Sequence, residues 1–232
     1  MTDSMGTERT DEGVVAIDGP AGAGKSTVGR ALAQRLGLEY LDTGAMYRAV
    51  TVAALRRGVD VARADAVAAI ARSVALDLGD AGVRVDGDDV TQAIRTPEVN
   101  TAVSAVAANP EVRTELTERM RSWAAARGGG VIEGRDIGTV VFPDALLKLY
   151  LTASPEERAA RRHREQGAEQ DLAAVAAAIT RRDEADLTRR HAPLAEAADA
   201  LVVDTTGRAV DVIVDELASL VADRRRARGR VG

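Results

Sequence analysis

The sequence predicts an α/β fold, an open parallel sheet of five strands with helices on both faces, and three observations carry that expectation. Short apolar runs at residues 14–17, 39–41, 131–133, 146–151 and 201–204 alternate with amphipathic helical stretches. The first run breaks into a glycine-rich turn, Gly19-Pro-Ala-Gly-Ala-Gly-Lys-Ser26, which enters a helical pattern with Val28, Leu32 and Leu36 on one face. A chain of 232 residues, 46% of them apolar, is long enough for one core with inserts and short for two independent domains.

The glycine-rich turn organises the rest. Residues 19–26 satisfy G-x-x-x-x-G-K-[ST] between a strand and a helix, which is the context a phosphate-binding loop requires. Gly19, Gly22 and Gly24 let the backbone turn so that successive N–H groups converge on one anion, and the start of the helix adds its unpaired N–H groups and positive dipole end. Pro20, Ala21, Ala23 and Thr27 complete the expected ATP-binding stretch. Lys25 supplies a point charge to the β- and γ-phosphates, and the Ser26 hydroxyl a ligand to Mg²⁺. Lysine occurs elsewhere only at position 148, which singles out the lysine in the loop.

Composition narrows the function classes. A net charge of −5 argues against a nucleic-acid coat or a membrane-surface protein, either of which needs a net basic face. Cysteine is absent, which excludes disulfides, thiolate metal sites and thiol nucleophiles. No apolar run approaches the roughly 20 residues that span a bilayer, and the polar start lacks the apolar core of a signal peptide. The expectation is a cytoplasmic enzyme acting on small molecules as a monomer, with no nucleic-acid or membrane partner.

In chain order, residues 1–13 read as a disordered lead and 14–223 as one domain. A helix over 26–36 stops at Gly37, a cap, and strand 39–41 follows, giving a βαβ opening. Residues 42–48, Asp-Thr-Gly-Ala-Met-Tyr-Arg, read either as a ligand-bearing segment at the end of a strand or as a helix cap followed by a surface arginine. Helical spacing covers 49–57 and 64–73. Over 76–90 short apolar pieces alternate with Gly79, Asp80, Gly82, Gly87 and Asp88, the pattern of two or three antiparallel strands in an inserted lobe. Residues 91–127 are helical with a break at Asn109-Pro110. Strand 131–133 then runs into Gly134-Arg-Asp-Ile-Gly138, where Glu133 and Asp136 are the two carboxylates able to serve the metal.

After strand 146–151, Ser154-Pro-Glu-Glu opens a helix with a cap, proline at its first position and acids in its first turn. Arg158, Arg161, Arg162 and Arg164 lie on it, Gly167 breaks it, and a second helix over 172–182 leads to Asp183, Asp186, Arg189 and Arg190. Such a stretch fits a solvated face with i,i+4 partners, but beside a phosphate loop it reads better as a mobile arm closing over a polyphosphate. A last helix over 209–221 precedes a basic tail, 224–232. His163 and His191 have no ligand-spaced neighbours.

GTPase and ABC-type signatures are missing, and two arginine- and hydroxyl-bearing segments beside one ATP loop suggest a small phosphorylated acceptor. Five stretches resemble the bacterial cytidylate kinases: residues 17–26, 41–48, 104–113, 134–144 and 182–189. The resemblance covers 14 to about 221. It implies a P-loop NTPase fold with a nucleoside-monophosphate insert over about 51–108, carrying the antiparallel piece, and a short lid over about 158–190. It also implies ATP- and Mg²⁺-dependent phosphorylation of CMP and dCMP. Carried over by position, Arg48, Arg135 and Arg189 bind the acceptor phosphate with Thr43 nearby. Ser104, Arg113 and Asp136 read cytosine, Arg182 and Asp186 hold the ribose, and Arg158, Arg161 and Arg162 supply the lid arginines. Ser26 and Glu133 stand where many relatives have glycine followed by threonine, and aspartate. Another small acceptor (UMP, AMP, shikimate or dephospho-coenzyme A) and a nucleotide-binding module without catalysis are the alternatives.

Overall fold

The computed structural model describes residues 13–79, 81–165, 171–189 and 192–229. The expected lead over 1–12, Asp80, Gly167, Arg190, His191 and the end of the tail from 230 lie outside the described residues. Five strands form the central sheet: β1 (Val14–Asp18), β2 (Tyr40–Asp42), β6 (Gly130–Glu133), β7 (Leu147–Thr152) and β8 (Leu201–Asp204). Their order is β2-β6-β1-β7-β8 and every pairing is parallel. Along β1 the pleat sends Val14 and Ala16 into one core cluster and Val15 and Ile17 into another on the opposite face, so the strand reads as a continuous apolar run.

One face of the sheet is covered by α1 (Lys25–Leu36) and α8 (Val210–Arg228), the other by α2 (Thr43–Arg56), α4 (Pro97–Ala108) and α5 (Pro110–Ala125). Gly37 caps α1 in the left-handed region, as its position suggested. The three-stranded antiparallel sheet of β3 (Leu76–Gly79), β4 (Gly82–Val85) and β5 (Asp88–Asp89) packs on α2 beside α3 (Ala64–Ser73), which accounts for the texture of 76–90. Proline stands at the first position of both α4 and α5, and Asn109 caps α5 by accepting from the N–H groups of Glu111 and Val112.

Three element boundaries differ from expectation. α2 begins at Thr43, directly after β2, because the Asp42 carboxylate accepts the Ala45 N–H at 3.0 Å and caps the helix; residues 43–48 are therefore helical. α7 (Leu172–Thr188) runs six residues past Arg182. α8 continues to Arg228, so residues 224–228 are its last turns rather than a tail, with cations at the favourable end of the dipole and Arg228 donating to the Asp144 and Ala145 carbonyls.

Register positions the site. Glu133 pairs with Ile17 on one side and with Asp42 on the other, so the carboxyl ends of β1, β2 and β6 finish level with one another. Asp18, Asp42 and Glu133 thus share the edge where an open α/β sheet places its ligands. Phe142, the single phenylalanine, is fully buried and anchors the turn that follows Glu133. Phe142→Ala should destabilise the chain by about 3–5 kcal/mol, read as a lower urea midpoint at constant slope; an unchanged midpoint would place the anchor elsewhere.

Candidate active site

The phosphate loop between β1 and α1 is held by glycines that no other residue replaces without movement. Gly19 has φ 144°, and a Cβ there would stand 2.0 Å from the Leu151 carbonyl oxygen; at Gly22 (φ 76°) it would stand 2.8 Å from the Arg158 carbonyl oxygen. Gly24, left-handed at φ 87°, starts α1 without a side-chain cap, and the first turn carries no acid. The first N–H groups of α1 are therefore left for an anion. Lys25 folds back so that its ammonium donates to the Pro20 carbonyl at 2.8 Å. Burial, with Arg135 and Arg182 close by, holds its pKa well below the ordinary lysine range, while the Glu133 charge works the other way.

Glu133 closes β6 with its side chain buried. It accepts from the Ser26 hydroxyl at 2.7 Å through Oε1, while Oε2 has no partner. The Tyr40 hydroxyl lies against this carboxylate without a hydrogen bond of good geometry. Burial and the neighbouring Asp42 charge push the Glu133 pKa up, countered by Lys25 and Ser26. A serine hydroxyl and a carboxylate with a free oxygen form a hard oxygen set that fits Mg²⁺. Thr43 donates to the Glu133 carbonyl at 2.7 Å, tying the start of α2 to the same edge.

Opposite the loop, arginines crowd together. Arg182 on α7 makes no ion pair or hydrogen bond among the described residues; burial first, and then the charges of Arg135, Arg48 and Arg162, lower its pKa to about 9, while Asp186 works the other way. Arg48 is lowered to about 10, by burial first and then by Arg162; it is held by the Ile94 carbonyl at 3.0 Å and by Asn100. Arg135 donates to Asp186 at 2.7 Å and to the Gly19 carbonyl at 2.8 Å, joining the acceptor side to the phosphate loop. Burial works to raise the Asp186 pKa, but Arg135, Arg182 and Arg189 hold it below the usual carboxylate range.

A second, drier group surrounds Asp136. Its carboxylate is buried and paired with both Arg113 and Arg189, the latter at 3.2 Å, and Arg113 lies over the Tyr47 ring at 5.7 Å. Burial raises the Asp136 pKa while the two guanidiniums oppose the rise. Arg182, expected at the ribose, is acted on by Arg135, Arg48 and Arg162 from one side and by Asp186, its expected partner there, from the other. Arg189, expected at the acceptor phosphate, is held by the Asp136 carboxylate at 3.2 Å and the Ala192 carbonyl, with Asp186 at 3.8 Å. Ser104 on α4 is half-buried and forms no side-chain hydrogen bond with the described residues.

The three lid arginines of α6 (Pro155–Glu165) separate by partner. Arg158 pairs with Asp183 and donates to the Ala21 carbonyl at 3.2 Å; Arg161 is spent on Glu157 and Thr205. Arg162 has only Glu165, at 3.1 Å, among the described residues and is the one that Arg48 and Arg182 feel. Residues to which the sequence reading gave no role complete the frame. Asp183 accepts the buried Ala21 N–H of the loop at 3.0 Å, and Thr205 donates to the Ala23 carbonyl at 3.1 Å. Asp18 accepts from Ile137 N–H and Gly138 N–H, and burial lifts its pKa to about 6 in spite of those bonds. Only the position of Asp18 beside the loop and of Asp183 beside Arg182 hinted at them.

Comparison with known proteins fits this geometry. A family model described as cytidylate kinase matches residues 15–223. A cytidylate kinase of Desulfitobacterium hafniense (strain Y51) is 50% identical over 216 residues, covering 90% of this chain and 93% of that protein. A bifunctional pantoate ligase/cytidylate kinase of Synechococcus sp. (strain WH7803) is 52% identical over 216 residues; they make up 89% of this chain and 44% of that protein, so the chain spans less than half of that relative. Among solved structures, an uncharacterized protein from Eubacterium ventriosum ATCC 27560 superposes with a TM-score of 0.52 at 11% identity over 90% of this chain and 98% of the other, a likeness of fold alone.

The Asp183 carboxylate joins α6, α7 and the phosphate loop through one buried pair and one loop N–H. Asp183→Ala leaves Arg158 and the Ala21 N–H without that partner and should cost about 3–5 kcal/mol. Chemical denaturation measures it, and a loss under about 1 kcal/mol, the level of an exposed pair, would mean that solvent replaces the carboxylate freely.

Proposed function

The chain belongs to the cytidylate kinase family, and on that premise we propose that it transfers the γ-phosphoryl group of ATP to CMP and dCMP, releasing ADP and CDP or dCDP. The observation that carries the reading is the crowding of Lys25, Arg48, Arg135, Arg162 and Arg182, with Arg182 unpaired among the described residues, beside a loop whose N–H groups are turned to an anion. Cations buried against their own repulsion call for phosphates on both sides of one cleft.

In the reaction an oxygen of the CMP phosphate attacks the γ-phosphorus, and the bond from that phosphorus to the β–γ bridging oxygen breaks, leaving ADP. A phosphate monoester is already ionised, so no general base is needed. Lys25 and the loop N–H groups hold the β- and γ-phosphates, and Arg48 and Arg135 hold the acceptor phosphate. Arg162 and Arg182 supply charge to the equatorial oxygens of the group in flight. Mg²⁺, held through the Ser26 and Glu133 oxygens, would withdraw charge from the β- and γ-oxygens. Asp186 takes the ribose. Asp136 accepts from the cytosine N4 amino group, whereas the O4 acceptor of uracil meets a carboxylate and is repelled. Arg113 orients Asp136 and donates toward N3 and O2, while Ser104 approaches the base from α4. The same reading makes the enzyme a cytoplasmic monomer of pyrimidine nucleotide supply, and its excess negative charge supports free nucleotides over nucleic acid as its partners.

Coupled assay of ADP formation across CMP, dCMP, UMP and AMP should show activity with the cytidine nucleotides that EDTA abolishes and Mg²⁺ restores; equal turnover of AMP would overturn the assignment. Lys25→Ala should lower kcat by about 10²–10³ or more with the fold intact by circular dichroism, since it acts on charge that develops during transfer. Asp136→Ala should narrow the CMP-to-UMP ratio of kcat/KM by about one to two decades, the worth of one charged hydrogen bond.

A further inference from the structure

Asp136 starts the π-helical turn Ile137–Val141. An aspartate in that position ordinarily folds its carboxylate back onto the free N–H groups of the turn it begins. Asp136 makes no such bond. The N–H groups of the turn go instead to a residue far away in sequence: Asp18, at the end of β1, accepts the Ile137 N–H through Oδ1 at 2.8 Å and the Gly138 N–H through Oδ2 at 2.7 Å. Both Asp18 oxygens are thereby used, with its side chain buried. The turn and the carboxylate are close-packed: a Cβ at Gly138 would stand in ordinary contact with Asp18 Oδ2, at 3.4 Å, and 3.2 Å from the flexible Lys148 side chain. The same strand end grips the turn twice more, through the Gly134 N–H on the Ile17 carbonyl at 2.9 Å and the Arg135 guanidinium on the Gly19 carbonyl at 2.8 Å.

We propose that Asp18 is a positioning residue for pyrimidine discrimination: by capping the turn from the neighbouring strand, it releases the Asp136 carboxylate from its own backbone and leaves it to Arg113, Arg189 and the base. Two carboxylates divide the work that one would otherwise do badly. A self-capping Asp136 points at its own backbone; an uncapped turn leaves two buried N–H groups without acceptors, which the chain corrects by bringing Asp136 back. Asp18 immediately precedes Gly19, so the residue that frees the base reader also fixes the entry to the ATP loop.

The inference rests on Asp136 reading the base, and the test separates the two claims. Asp18→Asn keeps the shape but turns one acceptor into a donor facing an N–H. It should lower the CMP-to-UMP ratio of kcat/KM about fivefold to tenfold, a share of the worth of a charged hydrogen bond, through a raised KM for CMP, with the KM for ATP within about twofold of wild type. In the Asp136→Ala background Asp18→Asn should lower the ratio no further. Asp18→Glu, which keeps both acceptors on a longer stem, should fall between. The ratio is measured on one preparation and does not depend on how much of it is folded, so partial unfolding cannot imitate the result. A ratio unchanged by Asp18→Asn while Asp136→Ala narrows it overturns the role of Asp18 alone. So does an equal loss for all substrates, or a further fall in the Asp136→Ala background. A ratio unchanged by Asp136→Ala removes the base reading and this inference with it.

Discussion

Repulsion among buried cations is the constraint on which the rest of this structure depends. Two unit charges 4 Å apart in partly screened protein surroundings repel by about 4 kcal/mol, and here Arg48, Arg135, Arg162, Arg182 and Lys25 act on one another across one cleft. The fold tolerates them through carboxylates placed beside the cleft. Asp186 takes Arg135, Asp183 takes Arg158, and Asp136 takes Arg113 and Arg189. Arg182 forms no ion pair among the described residues, and burial together with its cationic neighbours lowers its pKa although Asp186 opposes the shift. The cations of this face are held in place by the chain's own carboxylates and carbonyls, and a phosphate placed among them would relieve their mutual repulsion.

The parallel sheet serves that arrangement by finishing several strands at one level. β1, β2 and β6 end together, so a glycine turn, a helix start and an acidic turn project from the same edge. Strand registry fixes their relative heights more tightly than any loop contact does, because slipping one strand by a residue would send its buried side chains to the opposite face. Ser26 meets Glu133 for this reason, although 107 residues separate them.

Much of this was legible in the sequence, and what was legible was local. The phosphate loop announces itself through glycines at positions of positive φ, the five strands through apolar runs of strand length, and the inserted lobe through turn residues at short intervals. The beginning of α2 was ambiguous because Asp-Thr-Gly reads equally as a turn and as a cap, and only the Asp42 bond to Ala45 decides between them. The basic run at 224–228 looked like a tail because arginine suits a helix end as well as solvent. Long-range pairing carries no sequence period. Spacing could suggest Arg161 with Glu157, but nothing local joins Asp183 to Ala21, 162 residues away, or Asp18 to Ile137. Arg182 and Arg189 carry the right chemistry, but their side chains face groups that only the packed structure brings near.

α7 has a further property as a carrier of these groups. Arg182 and Asp186 lie four residues apart and Arg189 follows three later, an arc along one side of the helix and its first residue beyond, while Asp183 is turned by about 100° toward the phosphate loop. Glu184, Ala185, Leu187 and Thr188 between them are exposed. The segment therefore accepts changes of identity at four of its positions and none of length. Removing or adding one residue between Arg182 and Asp186 would turn everything beyond it by about 100°. In a lineage of such chains this stretch would diverge in spelling while remaining fixed in count.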